Sequence, residues 1–303
     1  MIIVETIIYG LVVGAVYGVV ALGFVLIYKS SSVLNLAQGA LLMLGGFTCL
    51  QIYQWLPGGV LFFILAVIVT LVIAALLGFS IERLALRPLI GEPLISVIMM
   101  TIGLNVLLIG IGYAIWESGN YAYPTDIIPI GFMTILGTSI SYKYIFSLII
   151  ALFCLLLFGL FFQFTRSGIA MRATADDQLA AQSLGISTSQ IFRNAWAIGC
   201  ITAAIGGIII GFLIGLNCYN TPVLGLRVLP VVLLGGLDSI PGAIIGGLIV
   251  GVTENLAGAY LDPLLYEWLG WGGTRDVFPY FLIMIILMLK PYGLFGWVRI
   301  ERI

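Results

Sequence analysis

Residues 30–81 read SSSVLNLAQGALLMLGGFTCLQIYQWLPGGVLFFILAVIVTLVIAALLGFSI, a run without one charged side chain. At about 1.5 Å per residue, a helix of that length reaches far past a hydrocarbon core about 30 Å thick, so the run must cross a bilayer more than once. Pro57, Gly58 and Gly59 supply the break. Two spans follow, 36–56 and 60–79, the first with an irregular start. Working outward between charges, 6–28 is the span before them, with no room for a signal peptide's polar start or cleavage site. After them come 94–116, 144–164 and 191–217. Farther on, 228–237 suits a half-helix or a helix completed by the preceding turn. Residues 241–261 span again, and 277–289 is short, with Lys290 able to snorkel. The expected fold is an all-α polytopic transmembrane helix bundle of about nine spans (roughly 8–10), with one broken or half helix, forming a single permease-like domain over 1–303.

Composition removes the competing classes. The 303 residues are 62% hydrophobic and 8% charged, whereas soluble globules are about 45–50% apolar and about 25% charged. The 38 glycines include four-residue runs at Gly10, Gly14 and Gly18, at Gly207, Gly211 and Gly215, and in the pairs Gly242–Gly246 and Gly247–Gly251. That spacing lets helices cross closely in lipid. With no histidine and with Cys49, Cys154, Cys200 and Cys218 scattered, no metal or thiol centre can be assembled, and the cysteines read as small apolar fillers. A net charge of −1 leaves no basic stripe for nucleic acid. Lys29 follows Tyr28 rather than a glycine, so there is no phosphate-binding loop, and any nucleotide energy must come from another chain. An intramembrane enzyme lacks its Ser/His, Cys/His or paired-acid constellation.

Positive charge sets the orientation, because short cytoplasmic loops collect Lys and Arg. With the N-terminus outside, the inner face holds Lys29, Arg83, Arg87, Arg166, Arg172, Arg193, Lys290, Arg299 and Arg302, and the outer face only Lys143, Arg227 and Arg275. N-out, C-in is therefore expected. Tyr53, Trp55, Trp116, Tyr121, Tyr123, Tyr260, Tyr266, Trp268 and Trp271 fall near the outer interface. Arg83 and Arg87 read either as positive-inside anchors or as a contact for a cytoplasmic partner.

Two segments face water. Outside, 117–143 carries proline, aromatic and alternating Ile, Thr and Ser residues, which suit an extracytoplasmic cap or hairpin. It either covers helix ends or docks an external partner. Inside, 165–190 holds Thr174-Ala175-Asp176-Asp177, with the form of a capping box, then about ten helical residues stopped at Gly185, a natural left-handed end. Ser187-Thr188-Ser189-Gln190 reads as a second box opening the next helix. A short, separately capped helix with Leu179, Ser183 and Leu184 on neighbouring faces either rests on headgroups or receives a push from a cytoplasmic partner.

Polar groups in hydrocarbon mark pathways or glue. Asn35 and Gln38, with Gly39 beside them, sit where a broken helix turns peptide dipoles toward a cavity, and read either as translocation-pathway residues or as interhelical hydrogen bonders. Asn105, with Thr101 one turn earlier, reads as glue. Glu254, the one acid inside a confident span, reads as a gating or lining residue or as a satisfied structural acid. A path nearly free of fixed charge suits a neutral or zwitterionic solute and not an ion channel.

Five segments together resemble the LivH-type membrane permeases of branched-chain amino acid ABC importers. They are Ala21-Leu22-Gly23 to Tyr28; Asn35-Leu36-Ala37-Gln38-Gly39; Ile81-Glu82-Arg83 with Arg87-Pro88; Arg172 to Gly185, including Ala180-Ala181; and 235–243, Gly-Gly-Leu-Asp-Ser-Ile-Pro-Gly-Ala. The chain differs from the family's pattern at Gln38, usually histidine, and at Asp238, usually glycine. The resemblance implies a non-enzymatic subunit in the bacterial inner (plasma) membrane. Its partners would be a second, LivM-like permease, two ABC ATPases that bind the ATP and Mg, and an extracytoplasmic solute-binding protein. No cofactor is expected in this chain. Arg172, Asp176, Asp177, Ala180, Ala181 and Gly185 are the implied coupling residues. The implied cargo is branched-chain or hydrophobic amino acids, with urea, short amides or aromatic amino acids as the alternatives within the class. A self-sufficient secondary transporter or facilitator is the alternative outside it.

Overall fold

A computed structural model describes residues 2–89, 91–128, 131–135, 137–270 and 272–296. Trp271, Arg299 and Arg302, used above for interface and orientation, lie outside the described residues. In chain order the helices are α1 (Ile2–Ser31), α2 (Gln38–Gln54), α3 (Val60–Ile81), α4 (Leu94–Trp116), α5 (Tyr142–Phe164), α6 (Arg166–Asp176), α7 (Gln178–Ser183), α8 (Thr188–Leu213), α9 (Asn220–Leu226), α10 (Val228–Gly235), α11 (Ile240–Leu256), α12 (Asp262–Leu269) and α13 (Thr274–Leu289).

Among the described residues, six stretches are long and apolar enough to cross a membrane: Ile3–Ser31, Val60–Leu89, Leu94–Trp116, Tyr142–Phe164, Thr188–Leu213 and Ile240–Trp268. α2, read as a span over 36–56, starts at Gln38 and has only 17 residues, because 32–37 runs as a non-helical link and turn. Ser32 ends α1 sharply at φ 55°, a left-handed conformation that costs a non-glycine residue about 1–2 kcal/mol. α9 and α10 meet at Arg227, which closes one helix and opens the next in a right-handed helical conformation. The expected half-helix is thus completed by the turn before it. The 60–79 span overruns its expected end through a π turn, Glu82–Leu86 after α3, while the 241–261 span closes in one, Ala257–Leu261, and the helix runs on through α12.

Sequence periodicity explains which helices lie inside. α1 and α11 run antiparallel with their glycines facing: a Cβ on Gly14 would lie 2.6 Å from the Gly247 oxygen, and Gly10 and Gly18 face Val252 and Ile244. Small residues thus bring two backbones together where lipid offers no hydrophobic drive. The most apolar window of α1 is 89% buried and that of α8 is 78% buried, against 17–22% for α3, α4 and α5. α1, α2, α8, α10 and α11 therefore make the core, while α3, α4 and α5 show broad apolar faces such as Leu61, Val106 and Leu156.

The description as all-α is qualified by short strands. β1 (Asn120–Tyr121) pairs antiparallel with β4 (Leu216–Asn217), and β2 (Phe132–Ile135) forms a hairpin with β3 (Thr138–Ser141), Phe132 opposite Ser141. β1 and β4 tie the 117–143 segment to the end of α8. Lys143 donates to the Leu213 carbonyl at 2.9 Å, a cation at a helix C-terminus, where the dipole favours it.

Candidate translocation and coupling sites

The link between α1 and α2 is held by its own polar side chains. Asn35 and Gln38 are buried, at 0% and 2% exposure. The Asn35 oxygen accepts from the Ala37 amide at 3.1 Å, and its amide donates to the Gln38 oxygen at 2.7 Å. The Gln38 amide in turn donates to the carbonyls of Val20 at 3.3 Å and Gly199 at 3.2 Å. This knot joins α1, α2 and α8 where α2 begins, so the two side chains are brought together and bond between helices. Gly39 completes it by close approach: a Cβ there would stand 2.1 Å from the Pro222 oxygen, so the α9 backbone rests on the first turn of α2. Thr101 bonds across to the Leu34 carbonyl at 3.1 Å. Asn105, read as glue, leaves its buried oxygen without a hydrogen bond, so the crossing contact belongs to the threonine.

Glu254 lies elsewhere, in the last turn of α11, fully buried. Its Oε1 accepts from Arg227 Nη1 at 2.8 Å and Arg275 Nε at 3.2 Å, and Arg227 Nη2 reaches Asp276 Oδ1 at 2.6 Å. Two cations and two anions thus cancel where α10, α11 and α13 meet. Tyr17 of α1 stands beside Glu254 and Arg227. Together with Asn255, Tyr17 and the two arginines line a cavity of about 190 Å³. Sequence reasoning placed Arg227 and Arg275 only as outer charges. Their one signal was a cation at the edge of each apolar run; the pairing with an acid 27 and 21 positions away needs the fold.

The 165–190 segment departs from its expected capping. Thr174 does not cap a helix: its hydroxyl donates to the Ala170 carbonyl at 2.9 Å inside α6. α6 is opened instead by Thr165, whose oxygen accepts from the Gly168 amide at 3.1 Å. Asp177 is the cap of α7, accepting from the Leu179 and Ala180 amides at 2.9 Å each. α7 is therefore six residues, rather than the expected stretch of about ten before Gly185. A threonine with a helix behind it finds a carbonyl one turn back, whereas an aspartate in extended backbone (φ −151°) is free to take amides. The second expected box opens α8 at Ser187 without its side-chain bond. Gly185 is left-handed at φ 83°, and the Ile186 amide returns to the Ala181 carbonyl at 3.0 Å. Of α7 only Ala181 is buried; Ala180 is exposed, and Leu179 and Leu184 are 76% and 81% exposed. Asp176 is exposed at the end of α6, and Arg172 donates to the Gln163 carbonyl at 3.2 Å, fixing α6 to α5. Arg87 donates to the Ser189 hydroxyl, tying the end of the α3 region to the start of α8.

Comparison with known proteins matches this chain over residues 6–288 to the family described as branched-chain amino acid transport system / permease component. The high-affinity branched-chain amino acid transport system permease protein LivH of Escherichia coli K12 is 29% identical, covering 97% of this chain and 96% of its own length. BraD of Pseudomonas aeruginosa, of the same description, is 30% identical over 99% and 97%. A probable branched-chain amino acid transport permease protein LivH of Methanocaldococcus jannaschii is 27% identical over 93% and 90%. A match running from the first turns of α1 nearly to the end of α13 covers the core, the link knot and residues 165–190 alike, and the chain belongs to the branched-chain amino acid transport system permease family.

Proposed function

We propose that this chain is the membrane-spanning permease subunit of an ATP-binding-cassette importer for branched-chain, hydrophobic amino acids. It is a multi-pass protein of the inner (plasma) membrane and carries no enzymatic centre. The energy coupling rests on one observation above the rest: α7, a helix of six residues between α6 and α8, with Leu179 and Leu184 exposed and a separate cap at each end. A turn between spans needs no such element. Two partner ATPases binding ATP and Mg close on it, and Arg172, Asp176, Asp177, Ala180, Ala181 and Gly185 pass the movement to α6 and α8. This chain holds no cofactor of its own.

The path follows the broken elements. Asn35, Gln38 and Gly39 form the constriction, where satisfied amides can exchange one carbonyl partner for another without a charge being buried. Glu254 acts farther out as the pin of a gate whose Arg227 and Tyr17 face a cavity. Counting α9 with α10 as one crossing, α1, α2, α3, α4, α5, α8, α9–α10, α11 and α13 give nine passes, N-out and C-in. The charge bias of the loops supports that direction. A second, LivM-like permease, two ATPases and one external solute-binding protein complete the assembly.

Reconstitution tests this directly. Proteoliposomes holding the co-purified complex are expected to take up leucine only with the binding protein outside and ATP inside. Uptake by this chain alone, driven by an ion gradient without ATP, would make it a secondary transporter.

A further inference from the structure

The largest departure from charge pairing lies at the other end of the molecule from Glu254. Glu82 opens the π turn after α3 and is 3% exposed. Its Oε1 is buried with no hydrogen bond, and among the described residues Glu82 joins no ion pair. A buried carboxyl without a partner is costly to keep unless something fills the space beside it. It faces a cavity of about 270 Å³, just below the roughly 300 Å³ at which ligand pockets for drug-sized molecules begin and in keeping with a smaller solute. That cavity lies open between the α1–α2 link, the π turn and the start of α8. Leu86, Val97, Phe192 and Trp196 give it apolar walls; Arg87 and a second acid, Glu92, stand at its exposed rim, and Gln178, the first residue of α7, borders one side.

We infer that this cavity is a release-side holding site for a small zwitterion with an aliphatic side chain, its ammonium against Glu82, its carboxylate toward Arg87 and its side chain on Leu86, Val97 and Trp196. The proposal rests on the importer reading above and adds a site that none of its pathway residues supplies. A buried acid, a cation and a second acid at the rim, and apolar walls between them suit a small zwitterion with an aliphatic side chain. Ser31 and Ser32 extend the lining toward the Asn35–Gln38 knot, so the site lies along the link. Because Gln178 belongs to α7, a push on the coupling helix moves one wall of the site and opens or closes it.

The test uses proteoliposomes of the whole complex, with the binding protein outside and ATP inside. Isopentylamine, which keeps the branched chain and the ammonium, or 4-methylpentanoate, which keeps the branched chain and the carboxylate, is loaded on the inside with the ATP. Isopentylamine is expected to slow leucine uptake by the wild type at a concentration about tenfold lower than 4-methylpentanoate. Glu82→Gln is expected to remove that preference and to lower uptake about tenfold or more, while ATP hydrolysis stimulated by the loaded binding protein persists; Glu82→Asp recovers part of the uptake. Loss of hydrolysis together with assembly would mean that the glutamine variant fails to fold, and the wild-type probe comparison then decides. Equal inhibition by the two probes, or an unchanged preference in Glu82→Gln, overturns the site while leaving the importer reading intact. A wild-type complex that takes up no leucine overturns both.

Discussion

Glu254 and Glu82 are the two acids buried among the described residues; each leaves one carboxylate oxygen without a hydrogen bond, but only Glu254 is ion-paired. Glu254 sits between Arg227 and Arg275 in a neutral quartet closed by Asp276. Glu82 has no cation of its own and faces a cavity with Arg87 at the rim, a residue already engaged with Ser189. A buried ion cluster holds helices in register, because breaking one partner strands the other. An unpaired buried acid beside a cavity stabilises nothing until something positive arrives. The same residue type thus marks a fixed point at one end of the molecule and an exchangeable one at the other.

The strongest way to break this contrast is at Glu254. Glu254→Ala leaves Arg227 with Asp276 as its remaining acid and is expected to cost about 2–3 kcal/mol, less than a fully stranded buried charge would, read as a lower unfolding temperature and a lower yield of assembled complex. Replacing Arg227 and Glu254 together by methionine should restore most of that stability. If the double variant also restores transport, the gate role falls and only the structural one is left. A mild effect of Glu254→Ala would mean that the two acids are alike after all.

A smaller effect is expected at Gly185, where movement enters on the Glu82 side. Valine must there adopt φ 83°, at a cost of about 1–2 kcal/mol confined to the end of α7. ATP hydrolysis stimulated by the binding protein should fall while co-purification with the ATPases persists; unchanged stimulation would remove Gly185 from the coupling set. Between the two acids, Gln38→Ala removes bonds to Asn35, Val20 and Gly199, about 1 kcal/mol each. Membrane insertion should be normal and the uptake rate altered, and unaltered kinetics would return Gln38 to simple glue.

The smallest effect belongs to Asp126, which accepts from the Tyr53 hydroxyl at 2.6 Å and the Gly59 amide at 3.2 Å. The Tyr53 hydroxyl holds its carboxyl below the usual carboxylate range. A lowered pKa means that the tie is complete above the ordinary carboxylate pKa and is lost as pH falls through the lowered one. Amide exchange at Gly59 should rise over that acidic interval in the wild type and be insensitive to it in Asp126→Asn.

Much of the bundle was legible because apolar length and breaker residues act locally. Residues 94–116 became α4 with both ends as read, and Gly185 stopped its helix in the expected left-handed conformation. Glu82 was missed for a local reason as well. A charge after an apolar run reads as the start of a loop, but the helix continues through a π turn and carries the acid inward. Thr174 misled because a capping box and a threonine one turn from a carbonyl look the same in sequence. The Arg227–Glu254 pairing was invisible, since charges 27 positions apart meet only once α10 and α11 pack. Likewise β1 and β4 pair across nearly a hundred positions.

The claim that matters most is that α7 receives mechanical work from a partner ATPase. Leu184, 81% exposed beside Gly185, gives the probe. Leu184→Cys in the assembled complex, labelled with a maleimide carrying a benzophenone and irradiated so that the ketone inserts into a nearby C–H bond, should cross-link this chain to the ATPase, with a yield that changes when ATP binds. A cysteine there that reacts freely with soluble maleimide in the full complex and never joins the ATPase, with or without nucleotide, would contradict it.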